Sequence, residues 1–310
     1  MKSWFGLVVL VCFTLGSCNL EQRRKLDSTT EGTISISVDE SFRPVVEELI
    51  RVYEASHPKT RIVAYYKPEV ACWEDLMHDS TRLVIVTKNL TQEEKFFYAD
   101  SLKIYPEDGL LAYDAVALVV NRRVPDSVFN VAAVEAMLLG TSSLPYKPVF
   151  DGVKATSTVR FALDSILKGR SLDLKRVTAA RSSAEVVEYI ARNPGYIGFT
   201  GMSWVANPED TAQLRRLQQV RVAWVSCRSC DTPGLYSKPV QEEILTNRYP
   251  YSRGIYYVLK EKHTGLGRGF VNFMKSDRGQ LIFRRAYLVP ARRLFIVRDA
   301  QIKLVQPLQQ

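Results

Sequence analysis

Two turns of the sequence carry hydroxyl side chains where the residue pattern predicts that helices begin. The first turn, 39–41, follows an alternating polar and apolar segment at 33–38 and precedes helical spacing from Phe42. The second turn, 156–158, precedes another helical segment. Helix N-termini offer backbone N–H groups and a partial positive charge, and Ser and Thr hydroxyls add donors. Such residues are most often ordinary helix N-caps, so by themselves the turns leave a site for a small oxyanion only as the alternative interpretation.

A second candidate for chemistry is the C-x-x-C pair formed by Cys227 and Cys230, which follows a predicted strand at 220–225. This spacing supports thiol redox chemistry when the first cysteine begins a helix. The segment 231–234, Asp-Thr-Pro-Gly, disfavours a helix. A local disulfide is therefore the simpler interpretation, and free thiols or a thiol oxidoreductase are the alternatives. Cys72 is expected to be a buried, unpaired thiol.

Metal-dependent and hydrolytic chemistry find little support in the sequence. The three histidines, at 57, 78 and 263, show no metal-ligand spacing. No G-x-S-x-G motif occurs. The G-x-G-x-G run at 265–269 lacks the third glycine of the dinucleotide fingerprint. These patterns argue against hydrolase chemistry, and we expect no catalytic residue among them, no metal and no cofactor.

The elements that must position these groups alternate between strands and helices. A strand at 33–38, a helix from Phe42 and a strand at 61–66 form the beginning of a parallel α/β sheet. The apolar run 83–86 is typical of a strand covered on both faces. Further strands are predicted at 115–120, 196–199, 220–225 and 255–259, and further helices after Thr91, Asn130 and Thr158 and at 184–190, 265–275 and 278–287.

Length and composition set limits on the class of protein. The chain has 310 residues, which favours two domains. Apolar residues make up 46% and charged residues 24%, which excludes a disordered chain or a protein with many membrane spans. The net charge of +9 comes from 42 Lys and Arg against 33 Asp and Glu. This modest excess of positive charge gives little support to a nucleic-acid partner.

The N-terminus has the pattern of a lipoprotein signal. Lys2 precedes an uncharged, mostly apolar stretch that is too short to span a bilayer. The segment 15–18, Leu-Gly-Ser-Cys, resembles a bacterial lipobox, which predicts a signal peptide at 1–17 and lipidation of Cys18. Residues 18–31 are then expected to form a flexible tether. The acyl chains, palmitate among them, would anchor the protein to a membrane of the bacterial envelope, facing the periplasm.

Several motifs, in order and spacing, resemble one protein family. The strongest segment is 248–257, Arg-Tyr-Pro-Tyr-Ser-Arg-Gly-Ile-Tyr-Tyr, and it is supported by 114–121, 195–199, 270–274 and 287–290. Together they resemble the phosphate-binding lipoproteins of ABC importers, the PstS-like branch of the type II periplasmic binding proteins. The resemblance implies an α/β fold of two lobes with two hinge crossovers, residues 32–120 plus 250–310 in lobe 1 and 121–249 in lobe 2.

The resemblance also implies which residues hold the ligand. Ser41 aligns with a family serine, and 156–158 aligns with the family's phosphate-binding Ser-Gly-Thr loop, with Ser157 at the glycine position. Relatives carry small neutral residues where this chain has Val38-Asp39-Glu40, and Arg82 stands where an acid is expected. Arg82 is therefore a candidate partner for Asp39, Glu40 or the anion. The expected ligand-binding residues are Asp39, Ser41, Arg82, Thr156, Ser157, Thr158 and Arg160.

The resemblance predicts an extracytoplasmic solute-binding protein that captures phosphate or a similar oxyanion. It would deliver this anion to the permease subunits of an ABC importer. Two carboxylates in the first turn favour an alternative, in which the same fold serves as a sensor or as a subunit of an envelope complex with a ligand other than phosphate.

Overall fold

The structure is a computed structural model that describes residues 26–101, 103–152, 156–232 and 234–292. The predicted signal peptide and Cys18 lie outside the described residues. The strands are β1 (Gly32–Asp39), β2 (Thr60–Lys67), β3 (Leu83–Val86), β4 (Glu107–Asn121), β5 (Val128–Phe129), β6 (Lys147–Phe150), β7 (Thr178–Ala179), β8 (Tyr196–Gly201), β9 (Val220–Val222), β10 (Trp224–Ser226), β11 (Tyr236–Ser237), β12 (Ser252–Leu259) and β13 (Val289–Pro290).

The helices follow the strands in an alternating order. The α-helices are α1 (Arg43–Ser56), α2 (Glu69–Met77), α3 (Gln92–Ser101), α4 (Val131–Leu138), α5 (Ser157–Phe161), α6 (Ser183–Arg192), α7 (Thr211–Leu217), α8 (Gln241–Leu245), α9 (Leu266–Lys275) and α10 (Asp277–Arg285). Short 3-10 helices cover Glu40–Phe42 and Met202–Trp204, and a π-helical turn, Ala162–Ile166, continues α5.

One long strand, β4, joins two sheets. The strand order is β2-β1-β3-β12-β4-β8-β6-β7, and β9 and β13 also pair with β4. The first part of β4 pairs with β12 up to Ala115, and the second part of β4 pairs with β8 from Val116 onward. We use lobe 1 for the sheet of β1, β2, β3, β12, β13 and the first part of β4, together with the helices and loops that connect these strands. We use lobe 2 for the sheet of β6 to β9 and the rest of β4, together with the helices and loops between β4 and β12. This arrangement confirms the predicted two-lobed α/β fold.

The two crossovers between the lobes lie side by side. The strand β4 changes sheets between Ala115 and Val116, about five residues before the predicted boundary. The returning chain passes this point just before β12, where Val116 N–H donates to Tyr251 O (2.9 Å) and Tyr249 Oη donates to Val116 O (3.0 Å). The two connections are therefore tied together where a hinge between the lobes is expected.

Each lobe has a core that follows from its apolar pattern. In lobe 1, Ile34, Ile36 and Val38 of β1 are buried, and so are Val45 and Leu49 on one face of α1. All four residues of β3 are buried because helices cover both faces of this sheet. Several elements differ from the sequence prediction, and two of them belong to lobe 1. The helix α2 was not predicted. The prediction also missed the first part of β4, which begins at Glu107, because polar and apolar residues alternate too weakly there for a strand to be recognised.

The last part of the predicted tether belongs to the folded body. Asp27 accepts two hydrogen bonds from Arg82 (both 2.9 Å) and one from the N–H of Leu266 (2.6 Å). Tyr53 donates its hydroxyl to the carbonyl of Thr29. The prediction of a flexible tether is therefore wrong for residues 27–31, because side chains distant in sequence hold them against lobe 1.

None of the helices in the described part of the chain is long and apolar enough to cross a membrane.

The packing of α6 on lobe 2 depends on a glycine in β8. A Cβ atom at Gly198 would lie 2.8 Å from side-chain carbons of Val119, Val186 and Ile190. Gly198→Ala should therefore lower the free energy of unfolding by about 1–3 kcal/mol, measured by urea denaturation, because a packed core resists added volume. Gly195→Ala is the control, since no atom lies within 4 Å of its added Cβ. Equal losses in both variants would contradict this account of the packing.

Candidate anion-binding site

The candidate site lies where the carboxyl ends of β1, β2 and β3 face lobe 2. The parallel register places Asp39 beside Lys67 and Val38 beside Ile85, so the loops after these strands meet at one edge of the sheet. The N-termini of α5 and α6 approach this edge from lobe 2. Ligands of open α/β sheets bind at this kind of edge.

Two predicted hydroxyls from opposite lobes meet here. Ser41 Oγ lies 3.1 Å from Ser157 Oγ, and both residues are buried. Arg253 Nη1 donates to the same Ser157 oxygen at 3.0 Å. The carbonyl of Ser41 also accepts a hydrogen bond from Ser203 Oγ of lobe 2 (2.6 Å). The structure therefore brings Ser41 and Ser157 together, as the family pattern implies.

Arg253 is the buried cation of this site. Its Nε donates to Asp114 Oδ2 at 2.9 Å, and its guanidinium lies 5.3 Å from the centre of the Phe42 ring. Its Nη2 lies 2.9 Å from the same Asp114 oxygen but makes no well-aligned hydrogen bond within the described residues. A Cβ at Gly201 would lie 3.2 Å from Nη2, so a glycine there leaves room for the guanidinium.

Asp39 supplies an acidic group with one free oxygen. Its Oδ1 accepts the N–H of Ser41 at 2.8 Å, whereas Oδ2 is buried and has no partner among the described residues. Burial, together with the negative charge of Glu69, raises the pKa of Asp39 to about 7 against the opposing effect of Arg253. Near neutral pH this group can therefore either donate or accept a proton in a hydrogen bond.

The second predicted turn is partly engaged with its own lobe. Thr156 caps α5 and accepts the N–H of Val159 at 3.4 Å, and its Oγ1 lies 3.3 Å from Thr158 Oγ1. Thr158 donates its hydroxyl to Asp151 Oδ1. Of the three residues in this turn, Ser157 has its hydroxyl bonded to lobe 1, while the hydroxyls of Thr156 and Thr158 make their bonds within lobe 2.

Two further carboxyl groups join the lobes. Glu40 Oε2 accepts the N–H (3.1 Å) and the hydroxyl (2.7 Å) of Ser183, the first residue of α6. Arg160 Nε donates to Glu69 Oε2 at 2.7 Å, and Arg160 Nη2 donates to the Thr87 hydroxyl. Burial raises the pKa of Glu40, whereas the bonds from Arg160 and Thr87 outweigh burial and lower the pKa of Glu69. Arg160 thus lies at the edge of the sheet where the site was predicted, but there it pairs with the Glu69 carboxylate of lobe 1.

The prediction that Arg82 pairs with Asp39 or Glu40 is wrong, and Arg82 lies at the other end of β1 from the candidate anion site. Arg82 precedes β3 and is level with Ser35 of β1, about 13 Å along the strand from Asp39. There it pairs with Asp27 (2.9 Å) and Glu261 (3.1 Å). In a parallel sheet, the residue before one strand and the residue that ends the neighbouring strand lie at opposite ends of the strands. Arg82 and Asp39 therefore cannot meet.

Sequence reasoning missed the residues that tie the site together. Arg253 and Asp114 are neighbours in the register of β12 and β4, and each is a charged residue within a buried strand. Both stand in segments that carry the family resemblance. A charged residue within an apolar strand was the signal that could have identified them. Glu69 and Ser183 gave no comparable signal, because acids and hydroxyls at helix starts are common, and neither did Asp151 and Thr87, which directly follow strands.

The cysteine pair is closed. Cys227 and Cys230 form a disulfide, and the Arg228 N–H between them donates to the Arg248 carbonyl (3.0 Å). Cys72 is buried and unpaired, and burial raises the pKa of its thiol. With its sulfurs joined, the pair presents no thiolate to a substrate.

One group of described acidic and histidine side chains lies close enough to share a metal ion, namely Asp27, Glu261 and His263. The Arg82 guanidinium already forms ion pairs with both acids of this group. Glu261 also accepts the N–H groups of Gly267 (3.2 Å) and Arg268 (2.9 Å) at the start of α9. These contacts explain the cluster as a junction that holds the segment before β1 against α9.

Comparisons with known proteins agree with this architecture. A family model described as "PBP superfamily domain" matches residues 25–278. The chain belongs to the PBP superfamily. No curated protein sequence matches it at a significant level.

Solved structures show the same PBP superfamily fold. A Clostridium perfringens protein, assigned as a phosphate ABC transporter substrate-binding protein and solved with bound phosphate, is 20% identical, with a TM-score of 0.69 over 84% of this chain and 100% of its own. An ABC-type phosphate transport receptor from Vibrio cholerae is 16% identical, with a TM-score of 0.60 over 84% of this chain and 100% of its own. Such low identities establish the fold and leave the ligand to be argued from the site.

The buried Asp39 should make stability depend on pH. The folded chain keeps the proton of Asp39 up to a pKa of about 7, whereas the unfolded chain loses it near the ordinary value of 3.8. Stability should therefore fall as pH rises between these values, by up to about 4 kcal/mol, and stay low above them. Asp39→Asn cannot ionise and retains an oxygen for the Ser41 N–H, so its unfolding free energy should fall less over this range and exceed that of the wild type above it.

The measurement is urea denaturation at a series of pH values. Asp79→Asn is the control, because the Asp79 side chain is 94% exposed. Parallel curves for the wild type and Asp39→Asn would show that Asp39 is not buried with a raised pKa.

Proposed function

We propose that this protein captures a protonated oxyanion, inorganic phosphate in the first place, between its two lobes and delivers it to an ABC importer. In this proposal the ligand contacts Ser41 and Asp39 from lobe 1, Ser157 from lobe 2, and Arg253. Thr156, Thr158 and Arg160 belong to the same turn and helix as Ser157. The protein acts by binding and release and forms no covalent intermediate.

The observation that carries the proposal is that one buried donor and one buried acceptor beside the two hydroxyls both lack a hydrogen-bond partner. Arg253 Nη2 has no well-aligned acceptor and Asp39 Oδ2 has no donor within the described residues, and both are buried. Buried polar groups in native proteins normally have a partner. Hydrogen phosphate carries acceptor oxygens for Arg253 and the serines, and one O–H donor for Asp39. Sulfate lacks that donor at neutral pH.

The acidic groups of the cleft do not exclude an anion. Asp114 is paired with Arg253, and Glu69 is paired with Arg160. The raised pKa of Asp39 means that this group is partly neutral near pH 7. Repulsion between the ligand and the cleft is therefore smaller than a count of carboxyl groups suggests.

The comparisons support the class of ligand. The Clostridium perfringens structure holds phosphate and the Vibrio cholerae protein is named a phosphate transport receptor. The lipobox at 15–18 supports anchoring through Cys18 to an envelope membrane, with the body facing the periplasm. An ABC permease is the partner that such a binding protein requires.

A second candidate function is a sensor or an envelope-complex subunit with the same fold. The specific observation in its favour is that carboxylates of lobe 1 already bond to donors of lobe 2, at Glu40–Ser183 and Glu69–Arg160. A cleft whose donors are engaged by the chain itself has fewer groups left for a transported ligand.

Calorimetric titration of the mature protein tests the two functions. Phosphate at neutral pH should bind with measurable heat and raise the melting temperature. At a pH above the raised pKa of Asp39, where its carboxylate can only accept, sulfate should bind more weakly because it cannot donate to Asp39. If millimolar phosphate produces neither heat nor a thermal shift, the transport proposal fails and the second candidate is favoured.

Ser157→Ala should weaken phosphate binding about tenfold or more. The variant removes one hydroxyl bonded to both Ser41 and Arg253, and a hydrogen bond to a charged group contributes about 1.5–3 kcal/mol. Ser56→Ala is the matched control, since its exposed hydroxyl donates to a carbonyl of its own helix. Unchanged affinity in Ser157→Ala, measured by the same titration, would remove Ser157 from the site.

A further inference from the structure

Two carboxylates of lobe 1 occupy positions that suit a bound anion in lobe 2. Glu40 Oε2 accepts both the N–H and the hydroxyl of Ser183, and Ser183 begins the ten-residue helix α6. The first N–H groups of a helix have no partner within the helix, and the helix dipole attracts negative charge there. Asp151 Oδ2 lies 3.2 Å from the same hydroxyl, so lobe 2 contributes an acid to this contact as well.

The second carboxylate, Glu69, is held from both lobes. From lobe 2, Arg160 donates Nε to Oε2 (2.7 Å) and Nη2 to Oε1 (3.3 Å). From lobe 1, Thr87 donates its N–H (2.7 Å) and its hydroxyl (2.6 Å) to Oε1. Only 3% of the Glu69 side chain is exposed, whereas 36% of the Arg160 side chain is exposed, so the carboxylate end of this ion pair is shielded from water.

These contacts are the ones through which a bound oxyanion would draw the lobes together. A helix N-terminus, a serine hydroxyl and an arginine of lobe 2 each receive a negative oxygen that belongs to lobe 1. Each contact exists in the closed arrangement and is lost when the lobes separate. A ligand or an internal group can shift the equilibrium between open and closed lobes only through contacts that differ between these two states. The contacts described here differ in this way.

We propose that Glu40 and Glu69 act as built-in anions that hold the cleft closed without ligand and compete with an incoming oxyanion. The effect on affinity rests on the proposed function, whereas the effect on closure does not. The wild-type protein is then closed when free, and phosphate gains access by displacing these carboxylates from their donors. Replacing each carboxylate by its neutral amide removes the charge and keeps the side-chain shape.

The test is the double variant Glu40→Gln/Glu69→Gln in the mature protein. Small-angle X-ray scattering should give a compact ligand-free wild type and an expanded ligand-free double variant, which becomes compact again with inorganic phosphate. The double variant should bind phosphate about tenfold more tightly in calorimetry, within the range of typical coupling between two binding events. Circular dichroism establishes that each variant is folded.

Glu135→Gln is the matched control. Glu135 pairs with Arg170 inside lobe 2, so the same substitution removes a salt bridge that does not join the lobes. This variant should remain as compact as the wild type. Equal radii of gyration for the ligand-free double variant and the wild type would overturn the proposal, and so would a wild type that closes only with phosphate.

The two proposals fail in different ways. An expanded double variant, with no phosphate binding by any protein tested, supports the built-in anions and removes the oxyanion transport function. A wild type that is open when free and closes with phosphate supports transport and removes the built-in anions.

Discussion

The architecture of this protein depends on a buried ion pair at the point where the chain passes between its lobes. Asp114 is the second-last residue of β4 before the strand changes sheets, and Arg253 lies beside it in β12. Neither side chain is more than 3% exposed. Removing one partner of such a pair leaves an uncompensated buried charge, which is strongly destabilising. The pair therefore ties the two crossover regions to one geometry.

The same pair organises the candidate site. Asp114 Oδ1 accepts the N–H of Met202 at 3.1 Å, and Arg253 Nη1 donates to Ser157 Oγ. Each charge thus makes one bond to its partner and one bond to lobe 2. A change in the angle between the lobes must alter these bonds, so the hinge and the ligand site are physically one unit. This coupling is what a binding protein that closes on its ligand requires.

Much of the fold was predictable because its signals are local. The alternation at 33–38, the apolar run 83–86 and the caps at Asn130, Thr156 and Ser276 each identify an element within a few residues. The site was predictable only in part. Ser41 and Ser157 follow from helix starts and from family resemblance, whereas the position of Arg82 at the far edge of the sheet follows from strand direction, which a single segment does not reveal.

The amino-acid sequence by itself determined many of the elements and the hydroxyl-bearing turns, because periodicity and capping act over a few neighbouring residues, and its resemblance to a family implied the two lobes. Tertiary structure alone decided which charges meet. Asp114 and Arg253 are 139 residues apart in the chain, and Glu69 and Arg160 are 91 apart. Contacts over such distances depend on strand register and on the angle between the lobes, and the energy of a charge depends on its burial and its neighbours, which only the folded chain defines.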